Sequence, residues 1–446
     1  MSADYSAPSM ESLIMESTRI DTLVPIPRAT GERCIWLRVG TLLDGGNTQP
    51  VRNAHVVYNS EGILFAGPEL PPRDLLDDGQ KEPDCDLPDF TLLPGLIDAH
   101  VHFFLEGGEL DAETRTAHLK QTPERLLVLA EQRLEKLVRL GVTACRDAGD
   151  KDGVGLALNR LCTGKDRPLM PYVDSPGAAI HHRGRYGSFM GEPFEDCATP
   201  RQCVEARVKA GAYRIKLIPT GIINFKKGAV TAEPQMTAER IREFVEAAKS
   251  FGKQTLAHAS GDEGIERAIA GGVDTIEHGF FLHDDQLAKM RDRQIAWVPT
   301  FAPVQKQVDH ADRMGWDGAV VANLRKILDR HAESLVKAHA MGVQVLAGSD
   351  AGSYGVAHGL GFLEELEMME RAGLSPLAVI HSATGASSDR LAFREKVGQI
   401  KPGFLSRFIL TRYSPLDGTA NLSGDRLVVF DGEVFETSGQ ERFAGL

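Results

Sequence analysis

The sequence has no excess of basic charge, no long apolar run and no paired-cysteine motif. Its 446 residues carry 50 Lys and Arg against 62 Asp and Glu, a net charge of −12. Phosphate binding needs a basic footprint, so nucleic acid is not an expected partner. No stretch of 18 or more apolar residues occurs, so no membrane-spanning helix is expected. The first twenty residues lack the basic start and apolar centre of a secretory signal and read as a polar leader. The six cysteines are scattered and form no C-x-x-C pair. Reduced thiols and a cytoplasmic location are the expectation, with Cys145, in an apolar run, a core residue. Low-complexity tracts and short-period repeats are also missing, which argues against a solenoid.

What is present is a change of pattern along the chain. Residues 33–93 contain short strand-like runs such as "CIWLRVGTLLDG" and "NAHVVYNSEGILFAGPE", broken by Gly, Asn, Asp and Pro. Residues 396–446 look similar, with "SRFILTRY" and "DRLVVFDGEVFET". Between them, over 94–395, strand-like and helical segments alternate. Strands are predicted at 96–103, 141–149, 170–177, 213–221, 254–260, 274–279, 294–301 and 343–352. Amphipathic stretches such as "PERLLVLAEQRLEKLVRLG" and "TAERIREFVEAAKSFG" separate them. Eight such units predict an α/β protein with a (β/α)8 TIM barrel. The two β-rich ends, 33–93 and 396–446, are expected to form a small β-sandwich beside it, after a leader over 1–32.

In such a barrel the chemistry lies at the C-terminal ends of the strands. The first strand ends in "DAHVH". His100 and His102 are two apart, so both point to one face. His258 and His278 close the fifth and sixth strands, and Asp350 follows the apolar approach of the eighth. Singly, each has a plainer reading as a core histidine or a turn aspartate. Lys216 stands in the apolar fourth strand "YRIKLIPTG", where a lysine is almost never buried without a partner. Together the six form a cluster at one end of the strands, with too many ligands for one tetrahedral ion. Two divalent metals fit better. Burial beside cations favours the neutral lysine amine, which can take up CO2 as a carbamate and bridge two ions. An ion pair between Lys216 and Asp350 is the alternative.

The motifs "PGLIDAHVHF", "GVTACRDAG", "YRIKLIPTG", "TLAHASGDEGIERAIAGGVDTIEHG" and "VLAGSDAG" resemble, in order, those of the amidohydrolase superfamily. Its imidazolonepropionase-like and Xaa-Pro dipeptidase-like hydrolases are the branch most resembled, over nearly the whole chain from about residue 35. The resemblance implies that His100, His102 and Asp350 hold one metal and His258 and His278 the other. Lys216, as N6-carboxylysine, would bridge them, and zinc is the usual ion. Where relatives commonly have Ala-Asp-Leu, this chain has Ser406, Arg407 and Phe408, a departure that bears on the sandwich rather than the site.

The reaction expected is hydrolysis of an amide C–N bond by a metal-activated water, Asp350 taking up its proton and passing it to the leaving nitrogen. His181 and His182, after the third strand, are candidates for orienting the substrate. The loops after strands three and four carry these with Arg183, Arg185, Tyr186, Lys226 and Lys227, a set suited to a substrate carboxylate. A dipeptide or an N-acyl amino acid would fit. Cyclic amides, lactones, ureas and carbamates are the alternative substrates. A non-catalytic barrel scaffold is the rival of a different class, disfavoured because all six ligand positions are filled. A homo-oligomer is left open.

Overall fold

The computed structural model describes residues 26–46, 49–164 and 168–437. Residues 1–25 of the expected leader lie outside these. Ile26 and Ala29, near its end, are buried in the apolar cluster of the first sheet. The strands β1 (Ile35–Leu42), β2 (Val51–Tyr58), β3 (Ile63–Gly67) and β4 (Cys85–Pro94) come first. Next are β5 (Leu96–Val101), β6 (Val142–Asp147), β7 (Tyr172–Asp174), β8 (Ala179–His181), β9 (Gly191–Pro193) and β10 (Ile215–Leu217). They are followed by β11 (Thr255–Ala259), β12 (Thr275–His278), β13 (Ala296–Val298), β14 (Arg407–Thr411), β15 (Arg426–Phe430) and β16 (Glu433–Thr437).

Both ends of the chain meet in one seven-stranded sheet, ordered β16-β15-β14-β4-β1-β2-β3. The predicted departure at Arg407 has a structural counterpart there. Its guanidinium is buried, bonds both oxygens of Asp431 at 2.8 and 2.6 Å and reaches Glu395 at 2.9 Å. It also approaches the Thr143 carbonyl at 3.5 Å, so the last third of the chain is tied to β6.

The middle of the chain forms two parallel sheets, β5-β6-β7 and β13-β12-β11-β10-β8-β9. Every residue of β5, β6, β10, β11 and β12 is buried. Strands covered on both faces read as nearly continuous apolar runs, which explains why the few polar residues within them stand out. The helices that cover them follow the expected amphipathic pattern. Pro123–Arg139 starts on Thr122, whose side chain accepts from Arg125 N, and buries Leu126, Ala130, Leu134 and Leu137. Ala238–Ser250 is capped by Thr237 and buries Ile241, Phe244 and Val245. Strands and helices share one apolar cluster that includes Ile215, Leu217, Ile276 and Val298.

Two strand expectations are corrected. The third strand is not continuous over 170–177: it breaks after β7, where Pro176 removes a ladder donor and Gly177 adopts φ 60°. The pairing resumes at β8, and Tyr213 N donates to Ser175 O across the break. Over 343–352 no strand is assigned. That segment makes isolated parallel bridges, Trp297 with Val345 and Val101 with Ala351. Ala99 N donates to Ala347 O and Leu346 N to Trp297 O, both at 2.9 Å. Gly348 explains the irregularity: a Cβ there would lie 2.9 Å from His100 Cβ, so only glycine lets the backbone pass. Asp350, with φ 53°, then leaves the extended conformation. Among the described residues no helix is long and apolar enough to cross a membrane, and all six cysteines are free thiols. Burial pushes the Cys145 thiol well up, as expected of a core cysteine.

Candidate metal centre

His100 and His102 leave β5, and Asp350 lies on the neighbouring segment, its N–H donating to the His100 carbonyl at 2.7 Å. This places Asp350 Oδ1 3.5 Å from His100 Nε2 and 3.6 Å from His102 Nε2. The three offer ligand atoms all within 4.8 Å of one another. His258 and His278 end β11 and β12 as a neighbouring pair, with ring centroids 4.6 Å apart, and the His278 ring is 5.0 Å from that of His100. Lys216, in β10, is 1% exposed and pairs in register with Leu256 of β11.

The second nitrogens of these imidazoles are occupied by the protein. His100 Nδ1 is 2.6 Å from Glu277 Oε2, His102 Nδ1 is 3.1 Å from the Gly149 carbonyl, and His278 Nδ1 is 2.8 Å from Thr300 Oγ1. His258 Nε2 is 3.3 Å from the Gly221 carbonyl, which leaves its Nδ1 available. Such outer contacts fix tautomer and ring orientation in metal sites. The decisive atom is His100 Nε2, which is buried and has no hydrogen-bond partner among the described residues. A buried imidazole nitrogen left in that state is costly unless something else binds it, so the donor set fits a divalent cation.

Electrostatics favours the ligating forms. Burial, and then the Lys216 charge, bring His102 and His258 down to about 3, and burial holds His100 and His278 well below the usual imidazole value. Neutral imidazole is the form that binds metal. Burial also lowers Lys216, against the opposing pull of Glu277 and Asp350, and raises Asp350.

Several supporting residues are not legible as site residues in the sequence. Glu277, one position before His278, holds His100 and is bonded by Arg146 at 2.9 and 2.7 Å. Arg146 also donates to Ala99 O and Thr275 Oγ1. Asp98 accepts from His100 N and from Ser349 N and Oγ, joining the two ligand-bearing segments. A polar residue inside an otherwise apolar strand was the available signal for Arg146 and Glu277. Glu365 had none: its carboxylate accepts from Phe301 N and Ala302 N at 2.9 and 2.8 Å and so secures the segment after Thr300. His278, Thr300 and Asp350 all carry positive φ without being glycine, the kind of backbone strain that clusters at functional sites.

His331 supports the same segment from the helix Gly318–Met341. It is 2% exposed, donates through Nε2 to Pro299 O at 2.9 Å and stacks on Phe280 at 4.1 Å. Burial brings it down to about 4. A base with a depressed folded pKa contributes fully above its unfolded value. As pH falls from about 6.5 towards 4, the unfolded chain takes up a proton that the fold refuses, so stability is lost in that window. His331→Phe removes this dependence. At pH 8 the variant is expected to be about 1 kcal/mol less stable, for the lost hydrogen bond. At pH 5 the native penalty reaches about 2 kcal/mol and the order reverses. Denaturant unfolding of both proteins at the two pH values is the measurement, and a gap independent of pH would contradict it.

Of the residues predicted to meet substrate, His181 is buried, with Nδ1 2.9 Å from the His182 carbonyl and Nε2 without a partner among the described residues. Tyr186 is half-buried, its ring 5.2 Å from that of His258. His182 pairs with Glu195 at 3.2 Å. Arg183 and Arg185 are exposed, the first paired with Asp196 and the second bonded to the Glu233 carbonyl.

The parallel strands, the covering helices and a His-His-Asp group at the strand ends define an α/β protein with a group of side chains able to hold a metal ion. Residues 91–434 match the amidohydrolase family, and the chain belongs to it. Ochratoxinase of Aspergillus niger is 25% identical over 423 residues, covering 87% of this chain and 83% of that one. A crystal structure of a Xaa-Pro dipeptidase with bound methionine in the active site superposes with a TM-score of 0.74 at 27% identity, covering 91% of this chain and all of that one. Imidazolonepropionase of Pseudomonas aeruginosa is 34% identical over 139 residues, 26% of this chain and 32% of that one. The protein is therefore an enzyme that hydrolyses carbon–nitrogen bonds in small molecules, in a family that works with metal.

Proposed function

We propose that the chain cleaves the amide bond of an N-acyl amino acid or a dipeptide at a centre of two divalent ions, with zinc the expected metal. His100, His102 and Asp350 would hold one ion, His258 and His278 the other, and Lys216, as its carbamate, both. The observation that carries this reading is the buried, unpartnered His100 Nε2 facing the Asp350 carboxylate. The carbamate is supported by a fully buried amine whose charge burial disfavours: neutral Nζ bonds to the carbon of CO2 and releases one proton. A closed eight-unit barrel is supported by the hydrogen bonds of the 344–351 segment to both β13 and β5, and of Tyr213 and Ile218 to the residues of the third strand. The seven-stranded sheet would then be the small second domain.

Bound metal supplies Lewis-acid activation of a water and of the carbonyl oxygen. The chain's own residues do the rest. Asp350, with Oδ2 accepting from Ser353 Oγ at 2.9 Å, keeps Oδ1 towards the cluster. It takes the proton of the attacking water there and returns it to the leaving nitrogen. His181, whose Nδ1–H donates to the His182 carbonyl, keeps Nε2 as an acceptor without a partner among the described residues, and would accept from a substrate N–H. The Tyr186 ring, 5.2 Å from that of His258, would pack beside the substrate there. His182 is half-buried and Arg183 and Arg185 are exposed, and they would serve a longer acyl group.

Metal analysis of the purified, zinc-supplemented protein tests the reading together with turnover of N-acyl amino acids and dipeptides. About two equivalents per chain with hydrolysis of these amides is expected. One equivalent or none, or turnover confined to cyclic amides, lactones, ureas or carbamates, would overturn it.

A further inference from the structure

Four residues, Pro299 to Ala302, connect β13 to the helix Ala302–Asp309 and are held from two later helices. His331, on Gly318–Met341, donates through Nε2 to the Pro299 carbonyl at 2.9 Å. Glu365, on Leu360–Arg371, is fully buried and accepts from Phe301 N and Ala302 N at 2.9 and 2.8 Å. These N–H groups stand at the start of Ala302–Asp309, whose own N-cap, Phe301, offers no side-chain acceptor. A carboxylate there also meets the positive end of the helix dipole. Both donors favour the ionised carboxyl, against the burial that raises it to about 8.

Between the two holds lies Thr300, fully buried and with φ 53°. A β-branched residue at positive φ is an outlier. Such a conformation persists only where the surroundings over-determine it. Its Oγ1 is 2.8 Å from His278 Nδ1. Trp297, three residues earlier on β13, donates through Nε1 to the His278 carbonyl at 2.9 Å. One strand end therefore holds both the ring and the backbone of His278, itself at φ 67°. The His331 ring packs edge-on against Trp297 at 5.1 Å and against Phe301 at 4.6 Å. Its face stacks on Phe280, two residues past His278.

We propose that residues 299–302 are a positioning strap for the ion that His278 would hold, with Glu365 and His331 acting on the metal centre through Thr300. The two clamps keep Thr300 in the strained conformation in which Oγ1 accepts from His278 Nδ1–H. That leaves Nε2 as the ligating nitrogen and sets its direction. Released from Glu365, Thr300 relaxes to negative φ and its hydroxyl leaves the ring. This rests on His278 being a metal ligand, as proposed above, and adds which side chains outside the ligand set aim it.

The test is zinc affinity by chelator competition in the native protein, Thr300→Val, Thr300→Ser, Glu365→Gln and the double variant of Thr300→Val with Glu365→Gln. Visible absorption of the cobalt forms is a second readout. Valine keeps the shape of threonine and removes the acceptor, whereas serine keeps the hydroxyl. Thr300→Val is expected to weaken one of the two zinc equivalents about tenfold or more and to change the cobalt spectrum, and Thr300→Ser to stay within about threefold of native. Glu365→Gln turns an amide N–H towards one of the two backbone donors. It should weaken the same equivalent, yet add nothing in the Thr300→Val background. A role confined to the fold would instead add in both backgrounds. The Thr300 variants leave the backbone bonds of the strap in place, so they test the contact whatever Glu365→Gln does to folding. Two zinc ions bound with unchanged affinity in Thr300→Val would overturn the strap and leave the two-ion centre standing. Equal losses in Thr300→Val and Thr300→Ser, or full additivity with Glu365→Gln, would also overturn it. A native protein that binds one ion, weakened by valine and not by serine, keeps the strap and removes the two-ion centre. No uptake by the native protein removes both.

Discussion

Asp350→Asn is expected to lower kcat by about a thousandfold, in the range that one positioned proton-transfer group supplies. The substitution is nearly isosteric. Ser353 Oγ can still bond the side chain, as it does Oδ2 at 2.9 Å, and the Asp350 N–H to His100 O bond is a backbone contact that the change does not touch. The left-handed φ of 53° is also tolerated by asparagine. Fold and most of the metal should therefore be retained, since His100 and His102 still present Nε2 on the same face. What is lost is a carboxylate oxygen that can accept a proton from water and hold it for the leaving nitrogen. Elemental analysis beside kcat for one amide substrate separates the two roles. A fall in turnover far larger than the fall in metal content supports the proton-transfer role; equal falls reduce Asp350 to a ligand, and near-normal turnover removes it from the reaction.

The alternation of strand and helix, and the six polar residues at strand ends, were legible because parallel strands buried on both faces leave little room for polar side chains. His100, His102, Lys216, His258 and His278 each interrupt an apolar run. Asp350 was legible for the same reason, although the strand expected to carry it is reduced to isolated bridges. That difference arises from contacts no single stretch of sequence reports: Gly348 is pressed against His100 from a strand some 250 residues earlier. Charge near the site was harder to read. The cations of the third-strand loop looked available in the sequence, whereas Arg183 and Arg185 have partners of their own in Asp196 and the Glu233 carbonyl. Glu365 secures the segment after Thr300 from the helix Leu360–Arg371 through two backbone N–H groups, a link with no sequence signature.

Lys216→Ala is expected to abolish the two-metal state. In the native protein, ligands that bind only the fold add stability by mass action, about 4 kcal/mol when the free ion is a thousandfold above its dissociation constant. That gain should largely vanish in the variant, with metal content falling from about two equivalents to one or fewer and turnover falling with it. The metal-free proteins should behave differently. Lys216 is 1% exposed and flanked by Ile215 and Leu217, so removing its amine also removes a group whose charge is costly to bury. A residue whose role was only to pack or to pair with Asp350 would instead lower the stability of the metal-free protein and leave the zinc-dependent gain unchanged. Lys216→Arg sharpens the comparison, since a guanidinium stays cationic and does not form the carbamate. Native protein equilibrated with 13C-bicarbonate should show one carbamate carbon by NMR, absent in both variants. Full metal content and full turnover in Lys216→Ala would show that the bridge is not built on this lysine.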